Sequence, residues 1–367
     1  MDAPQVTLIT DGPGLTALSP GWDDLVRAAP RPSPFLLHGW VDEWWRHFGD
    51  DRQLAVAAAR RDGGLVGVLP LCVKRRSGVR VAEFLGGHES ALADLLLAPG
   101  EAATTATALL QATRPAFDAV DLFGLPGDSA LARTAGGDAL RLIERVAAPY
   151  MTMPDGFEAR YVERTSSKTR NTHRRRRRQL DALGEVEFRV ARTPAELEPA
   201  LREAQRLHAL RWEGRPDQSE FATERGRPFH LAAIRRLAPL DTVRIVLCEL
   251  DGLAIAHHYY FALEGRMIVH CLAFDPAYQE VSVGLTTNLE TLRSASAEGL
   301  TAVEFLGGDE RYKLELADGM APLYQAIGLA SGVRGAGAVA ARRAMIDLRI
   351  RLRSSPRARR IYERLAG

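Results

Sequence analysis

The stretch Phe274-Asp-Pro-Ala-Tyr-Gln-Glu-Val-Ser-Val-Gly284 has the residue types of an anion-binding turn. It follows an apolar, strand-like run from Met267 to Ala273 and leads into a helix-like run from Leu285 to Ala297. Backbone N–H groups in the first turn of a helix have no intrahelical acceptor, and the helix dipole adds partial positive charge there. A phosphate can settle at such a start when the turn is built of small residues. Ser282 and Gly284 supply them.

Groups able to move protons cluster near this turn in sequence. His257 and His258 are adjacent on a predicted strand, so their side chains leave it on opposite faces. His270 lies on the strand that feeds the turn. An unperturbed imidazole titrates near pH ~6.5 and can act as a base. Further on, Asp309, Glu310, Tyr312 and Lys313 follow the last predicted strand, and the C-terminal ends of strands in open α/β sheets are where sites tend to form. Trp212 marks the end of a predicted helix from Pro194 to Arg211, and Glu213 and Arg215 just after it could line an acceptor pocket.

The elements that must position these residues follow from the rest of the chain. With 367 residues there is room for two domains, and 46% hydrophobic and 26% charged residues are the balance of a globular protein. The formal net charge of +2 gives no argument for nucleic-acid binding by itself. Cys72, Cys248 and Cys271 sit in apolar runs without a CxxC pair, which predicts buried thiols rather than a disulfide framework or zinc site, and no metal. This use of cysteine suits a reducing cytoplasm. No signal peptide is expected from Met1 to Asp11, and no apolar run has the length of a membrane span.

Residues 1–155 read as mixed α/β. Helices are predicted at Gly21 to Ala29 and Gly39 to Phe48, the second with Trp40, Trp44, Trp45 and Phe48 as a core stripe. A hairpin turns at Arg61-Asp-Gly-Gly64 between two apolar runs. Strands from Arg80 and Ala119 flank a helix between Glu101 and Thr113. Residues 156–182 form a basic linker helix with Ser166 or Ser167 as its N-cap, and Arg174 to Arg178 run consecutively within it. Five consecutive arginines cover every side of a helix, so some must face the protein or a partner.

Residues 183–330 repeat the outline: helix, hairpin at Asp251-Gly252, third strand, helix, strand. Residues 331–367 are an Arg-rich helical tail. The fold class expected is α/β (α+β): mixed, mostly antiparallel sheets flanked by helices, in two tandem units.

The turn resembles the pyrophosphate loop of the GNAT N-acyltransferase superfamily, with Phe274, Pro276, Gln279, Ser282 and Gly284 on its motif positions. More of the chain is similar to the CelD/BcsL-type branch of that superfamily, itself similar to the Fem peptidyltransferases. Trp22, Pro34-Phe35, Trp40, Trp44-Trp45, Leu69-Pro-Leu71, the basic linker, His208, Trp212 and Phe305-Leu-Gly-Gly-Asp-Glu-Arg-Tyr-Lys313 carry this likeness. Ser282 replaces the loop's first small residue, and Val283 stands where Pro is usual.

The resemblance implies two tandem GNAT-like domains and an acyl transfer that uses acetyl-CoA or another acyl-CoA. Gln279, Ser282, Val283 and Gly284 would hold the diphosphate, and the strand through Leu272 and Ala273 would pair with the pantetheine amides. In such a transfer His257, His258 or His270 could take the acceptor's proton, and Tyr312 could protonate the leaving thiolate. Asp309, Glu310, Lys313 and Trp212 would bind a small-molecule or saccharide-linked acceptor. Fem relatives take their acyl group from aminoacyl-tRNA, so Arg174 to Arg178 could instead meet tRNA, or anionic lipid. A third reading is a degenerate GNAT scaffold acting as a binding module. The oligomeric state is open.

Overall fold

The computed structural model describes residues 3–87, 90–101, 103–136, 139–213, 221, 223–307 and 311–354. Asp62 and Gly63 (φ 51° and 81°), like Asp251 and Gly252 (φ 51° and 79°), adopt left-handed backbone. Two such residues in succession make the turn whose twist matches paired strands. The first turn joins β2 (Arg52–Arg61) to β3 (Gly64–Arg76), and the second joins β10 (Val243–Leu250) to β11 (Leu253–Leu263).

Around the first hairpin lie β1 (Gln5–Ile9), β4 (Val79–Phe84), β5 (Leu96–Leu97), β6 (Ala119–Pro126), β7 (Leu140–Val146) and β15 (Leu323–Gly328). They form an 8-stranded sheet in the order β1-β2-β3-β4-β6-β15-β7, with β5 paired to β3. Around the second hairpin lie β8 (Pro149–Thr152), β9 (Val186–Ala191), β12 (Arg266–Phe274), β13 (Ala302–Glu304) and β14 (Gly319–Met320). Their 7-stranded sheet runs β14-β8-β13-β12-β11-β10-β9. Among the described residues each sheet holds one parallel pair, β4 with β6 and β12 with β13. In both halves the parallel partner is reached through a helix, which is the repeated outline seen in the sequence. The sheets also trade strands: β8 precedes the basic helix yet joins the second sheet, and β15 returns to the first.

The helices are α1 (Gly12–Thr16), α2 (Trp22–Arg27), α3 (His38–Phe48), α4 (Ala103–Thr113), α5 (Ala130–Ala135), α6 (Phe157–Arg164), α7 (Ser167–Asp181), α8 (Pro194–Arg211), α9 (Gly226–Leu237), α10 (Val283–Ala297), α11 (Arg311–Leu316) and α12 (Gly332–Ser354). Ser166 caps α7 by accepting from the Thr169 N–H at 3.0 Å, and α8 begins with a capping box of Thr193 and Glu196. Among the described residues no helix is long and apolar enough to cross a membrane.

One core cluster runs through both halves. Its junction is Trp40 on α3, fully buried, whose ring packs edge-on against Phe229 at 4.9 Å and Phe261 at 5.7 Å. Gly39 lets α3 approach α9 closely, since a Cβ there would lie 2.9 Å from Arg236 Cβ. The tryptophan stripe is therefore core, as its spacing indicated, and it docks the first half onto the second.

Candidate functional site

Strand β12 pairs with β11 along its whole length but with β13 for only three rungs, Arg266 with Ala302, Met267 with Val303 and Ile268 with Glu304. Glu304 marks the last rung. It is buried and held by Arg31 at 2.7 Å and Arg266 at 3.4 Å. Beyond it the chain turns away, and the Phe305 N–H donates to Pro149 O on β8. Among the described residues, the edge of β12 from residue 269 to 274 has no strand partner on that side. The result is a parallel pair that opens into a gap. A bulge accompanies the opening: Tyr259 faces Cys271 and Tyr260 faces Val269, leaving His270 as the extra residue.

At the open end sits the turn into α10. Ser282 is the N-cap in left-handed backbone (φ 56°, ψ 44°), and its side chain makes no capping hydrogen bond. The first-turn N–H groups of Val283, Gly284 and Leu285 have no intrahelical acceptor. Tyr278 and Val281 anchor the turn against Leu180, Ile255 and Val283. Arg176 on α7 donates to the Glu280 carbonyl at 2.6 Å. Gln279 is exposed and Ser282 half-buried, whereas the Val283 side chain belongs to the core. Gly284 has a different constraint from the one its spacing indicated. A Cβ there would lie 2.7 Å from Phe274 Cδ1 and 3.5 Å from Leu272 Cδ2, so close packing of α10 on β12 requires glycine.

The candidate proton-moving groups fall on two faces of the sheet. His258 shares the α10 side with Tyr260, 6.2 Å away, and Tyr260 packs with Leu289 and Leu292 of α10. Burial, then the positive charge of Lys313, pushes the His258 pKa down to about 3. Lys313 on α11 is itself buried, and its ammonium donates to the Gly307 carbonyl at 2.6 Å, just past β13. Tyr312 is half-buried, with its ring 5.9 Å from that ammonium. Asp309, Glu310 and Arg215 lie outside the described residues.

His270 is on the opposite face, within a cluster of aromatic and imidazole rings. It lies 4.8 Å from Tyr259, 5.2 Å from His230 and 5.8 Å from Trp40. His208 and His257 join it from α8 and β11. Among the described residues, none of their four ring nitrogens, all buried, has a hydrogen-bond partner. Burial, helped by the charge of His230, pushes the His208 pKa down to about 4, and burial holds His257 well below the ordinary imidazole range. His208, His257 and Cys271 bring one donor atom each within 4.8 Å of one another. The N and S donors of this trio are of the type that admits a zinc ion. Trp212 borders this face: Arg211 lies over both its ring (5.9 Å) and that of Phe274 (4.9 Å).

The structure therefore gathers Gln279, Ser282, Val283, Gly284 and Leu272 at the gap. It sets Lys313, Tyr312 and His258 on its α10 side, and His270, Ala273 and Trp212 on the other. His230 gave no local signal of a role and His208 only a place in the resemblance, because their meeting with β12 depends on the docking of α8 and α9.

A family model described as an acetyltransferase (GNAT) domain matches residues 167–314. No curated protein matches the chain. Among solved structures, FemX is similar in fold with a TM-score of 0.61 at 10% identity, over 89% of this chain and 97% of that one. The C-terminal domain of a protein assigned as lysylphosphatidylglycerol synthetase from Agrobacterium fabrum gives 0.57 at 12% identity, over 89% and 94%. L-PGS from Bacillus licheniformis gives 0.53 at 13%, over 82% and 95%. The family match thus covers residues 167–314, and over most of its length the chain shares its fold with FemX.

Proposed function

We propose that the protein is an acyltransferase that uses acetyl-CoA or another acyl-CoA and acts on an amine or hydroxyl of a small or saccharide-linked acceptor. The observation that carries this reading is the coincidence of the β12–β13 gap with an uncapped helix start. The N–H groups of Val283, Gly284 and Leu285 would hold the diphosphate, with Gln279 and Ser282 beside them. The unpaired edge of β12, through Leu272 and Ala273, would orient the pantetheine arm. Coenzyme A supplies a thioester, which makes the acyl group transferable.

Lys313 puts a buried positive charge at the gap, where negative charge on the acyl oxygen needs stabilising. His270 faces the polar cluster that would receive the acceptor, and takes its proton. His258, kept neutral by burial, is the alternative base on the α10 side. Tyr312 returns a proton to the leaving sulfur. Trp212 and Lys313 border the acceptor; Asp309 and Glu310 complete this proposed set from the adjoining segment.

A second reading, with aminoacyl-tRNA as donor, is favoured by the exposure of Arg174, Arg175 and Arg178 on α7. Thermal stabilisation separates the two. Ligand bound only by the folded state raises stability in proportion to the logarithm of its concentration over Kd. Coenzyme A and acetyl-CoA should raise Tm, and Ser282→Asp should abolish the rise without harming the fold. An aspartate tolerates left-handed backbone, and its carboxylate at the helix start repels a diphosphate. Gly284→Glu would not serve, because its Cβ would meet Phe274. Absence of any shift with acyl-CoA, together with salt-sensitive binding of charged tRNA, would replace the first reading by the second.

A further inference from the structure

A cavity of about 320 Å³ lies between α6, α7 and α10, one helical turn from the uncapped start of α10. Thr286, in that first turn, forms part of its wall, and Arg176 ties the same stretch of α7 to the turn itself. Two kinds of surface meet in it.

The first is flat and aromatic. Phe157, Tyr161 and His173 stack in series, with interplanar angles of 26° and 23°. The Tyr161 hydroxyl and His173 Nδ1 are hydrogen-bonded at 2.8 Å. Burial lowers the His173 pKa from its ordinary value, which favours the neutral ring as acceptor of that bond. Tyr161, His173, Val162 and Leu289 give the cavity its apolar lining.

The second surface is cationic. Arg177 is paired with Asp181 at 2.7 Å and Glu290 at 3.1 Å, and Arg293 with Glu158 at 2.5 Å, so these charges are matched. Arg170 donates to the Val162 and Thr165 carbonyls and Arg174 to the Asn171 amide oxygen at 2.5 Å. Among the described residues neither Arg170 nor Arg174 has a carboxylate partner. A guanidinium in this state is suited to bidentate binding of phosphate.

Flat apolar surface beside unmatched guanidinium groups, in a volume at the small end of ligand pockets, is complementary to a nucleoside phosphate. We infer that this pocket receives the nucleotide end of the donor: a purine against His173 and Leu289, and a ribose phosphate on Arg170 and Arg174. The inference deepens the donor reading and rests on it for the diphosphate one turn away. Adenosine carrying a phosphate is shared by coenzyme A and by the 3′ end of tRNA, so the pocket's chemistry is the same for either source.

The test is equilibrium binding of adenosine 3′,5′-bisphosphate, 4′-phosphopantetheine and coenzyme A to the full chain and to Arg174→Glu and Arg175→Glu. Arg175 is exposed on the same helix but does not line the cavity. Arg174→Glu should weaken the bisphosphate and coenzyme A by about tenfold to a hundredfold, the worth of charge-assisted hydrogen bonds, and leave 4′-phosphopantetheine unchanged. Arg175→Glu should cost less than about fivefold. The pocket is wrongly assigned if the full chain binds no bisphosphate, or if the two variants lose it equally. If the bisphosphate binds through Arg174 while 4′-phosphopantetheine does not bind at all, the pocket stands and the coenzyme A reading falls. An RNA hairpin with a CCA end that then displaces the bisphosphate assigns the nucleotide to tRNA.

Discussion

Each half of the molecule contains a parallel strand pair that separates after a few rungs, and the two gaps have opposite fates. In the first half, β4 and β6 share only the rungs Val81–Ala119 and Ala82–Val120. The chain then fills the space with itself. Ala93 donates to the Gly124 carbonyl at 3.0 Å, and Ser90, Leu92 and Ala93 are buried against β6. Gly86 and Gly124 make room, since a Cβ on either would strike Ser90 Oγ (1.8 Å) or Ala91 O (2.9 Å). The start of α5, which follows β6 and is not the counterpart of α10, is satisfied by the chain's own carboxylate, with Asp94 accepting from Ala130 N at 2.8 Å and Leu131 N at 3.1 Å. In the second half the helix start has no such cap, and the edge of β12 has no strand beside it among the described residues. The same topology is thus closed in one copy and left available in the other. The repeat transmits architecture, and the loop between third strand and helix decides whether the gap is filled.

The largest expected effect separating the halves is acid sensitivity. Among the described residues the strongly depressed imidazoles, His208 (about 4), His230 (about 3), His258 (about 3) and His257 (well below its ordinary value), lie in the second half. A folded-state pKa below the unfolded value means that the unfolded chain binds more protons, so stability falls as pH drops below ~6.5. At pH ~5 each such histidine should cost about 2 kcal/mol, at 1.36 kcal/mol per pKa unit. Urea titrations at neutral pH and at pH ~5 measure the loss, and hydrogen exchange should locate it in β10 to β12. Uniform loss of protection across both sheets would erase this difference.

Next comes Lys313→Met. It should lower turnover by about a hundredfold to a thousandfold, the worth of a positioned oxyanion donor, with coenzyme A affinity nearly unchanged. A matching loss in both would make Lys313 a binding residue. In the closed gap, Gly86→Ala should cost about 2 kcal/mol of stability through its left-handed backbone (φ 98°) and its contact with Ser90, and should leave donor binding intact. The smallest change is Tyr312→Phe, for which about a tenfold fall in turnover at constant affinity is expected.

Much of the frame was legible in the sequence because it is set locally. Asp-Gly pairs fixed the hairpins, Ser166 fixed the start of the basic helix, and the strand, turn and helix around Gly284 lie where their residue types put them. Long-range features were not legible. Strands β8 and β15 are short, and they join the opposite sheets through pairings that leave no periodic trace. The bulge at His270 breaks the alternation that would relate its face to that of His257. The filling of the first gap depends on glycines whose neighbours are distant in sequence. The arginine run was visible, but which arginines face α10 depended on how α7 docks.

In the proposed reaction the second gap, and not the first, receives the acyl donor. Hydrogen–deuterium exchange with and without coenzyme A tests it most directly. Protection confined to residues 269–285 and the adjoining face of α7, with residues 79–93 and 119–126 unchanged, is the predicted result. Protection centred on the first gap, or none at saturating coenzyme A, would contradict it.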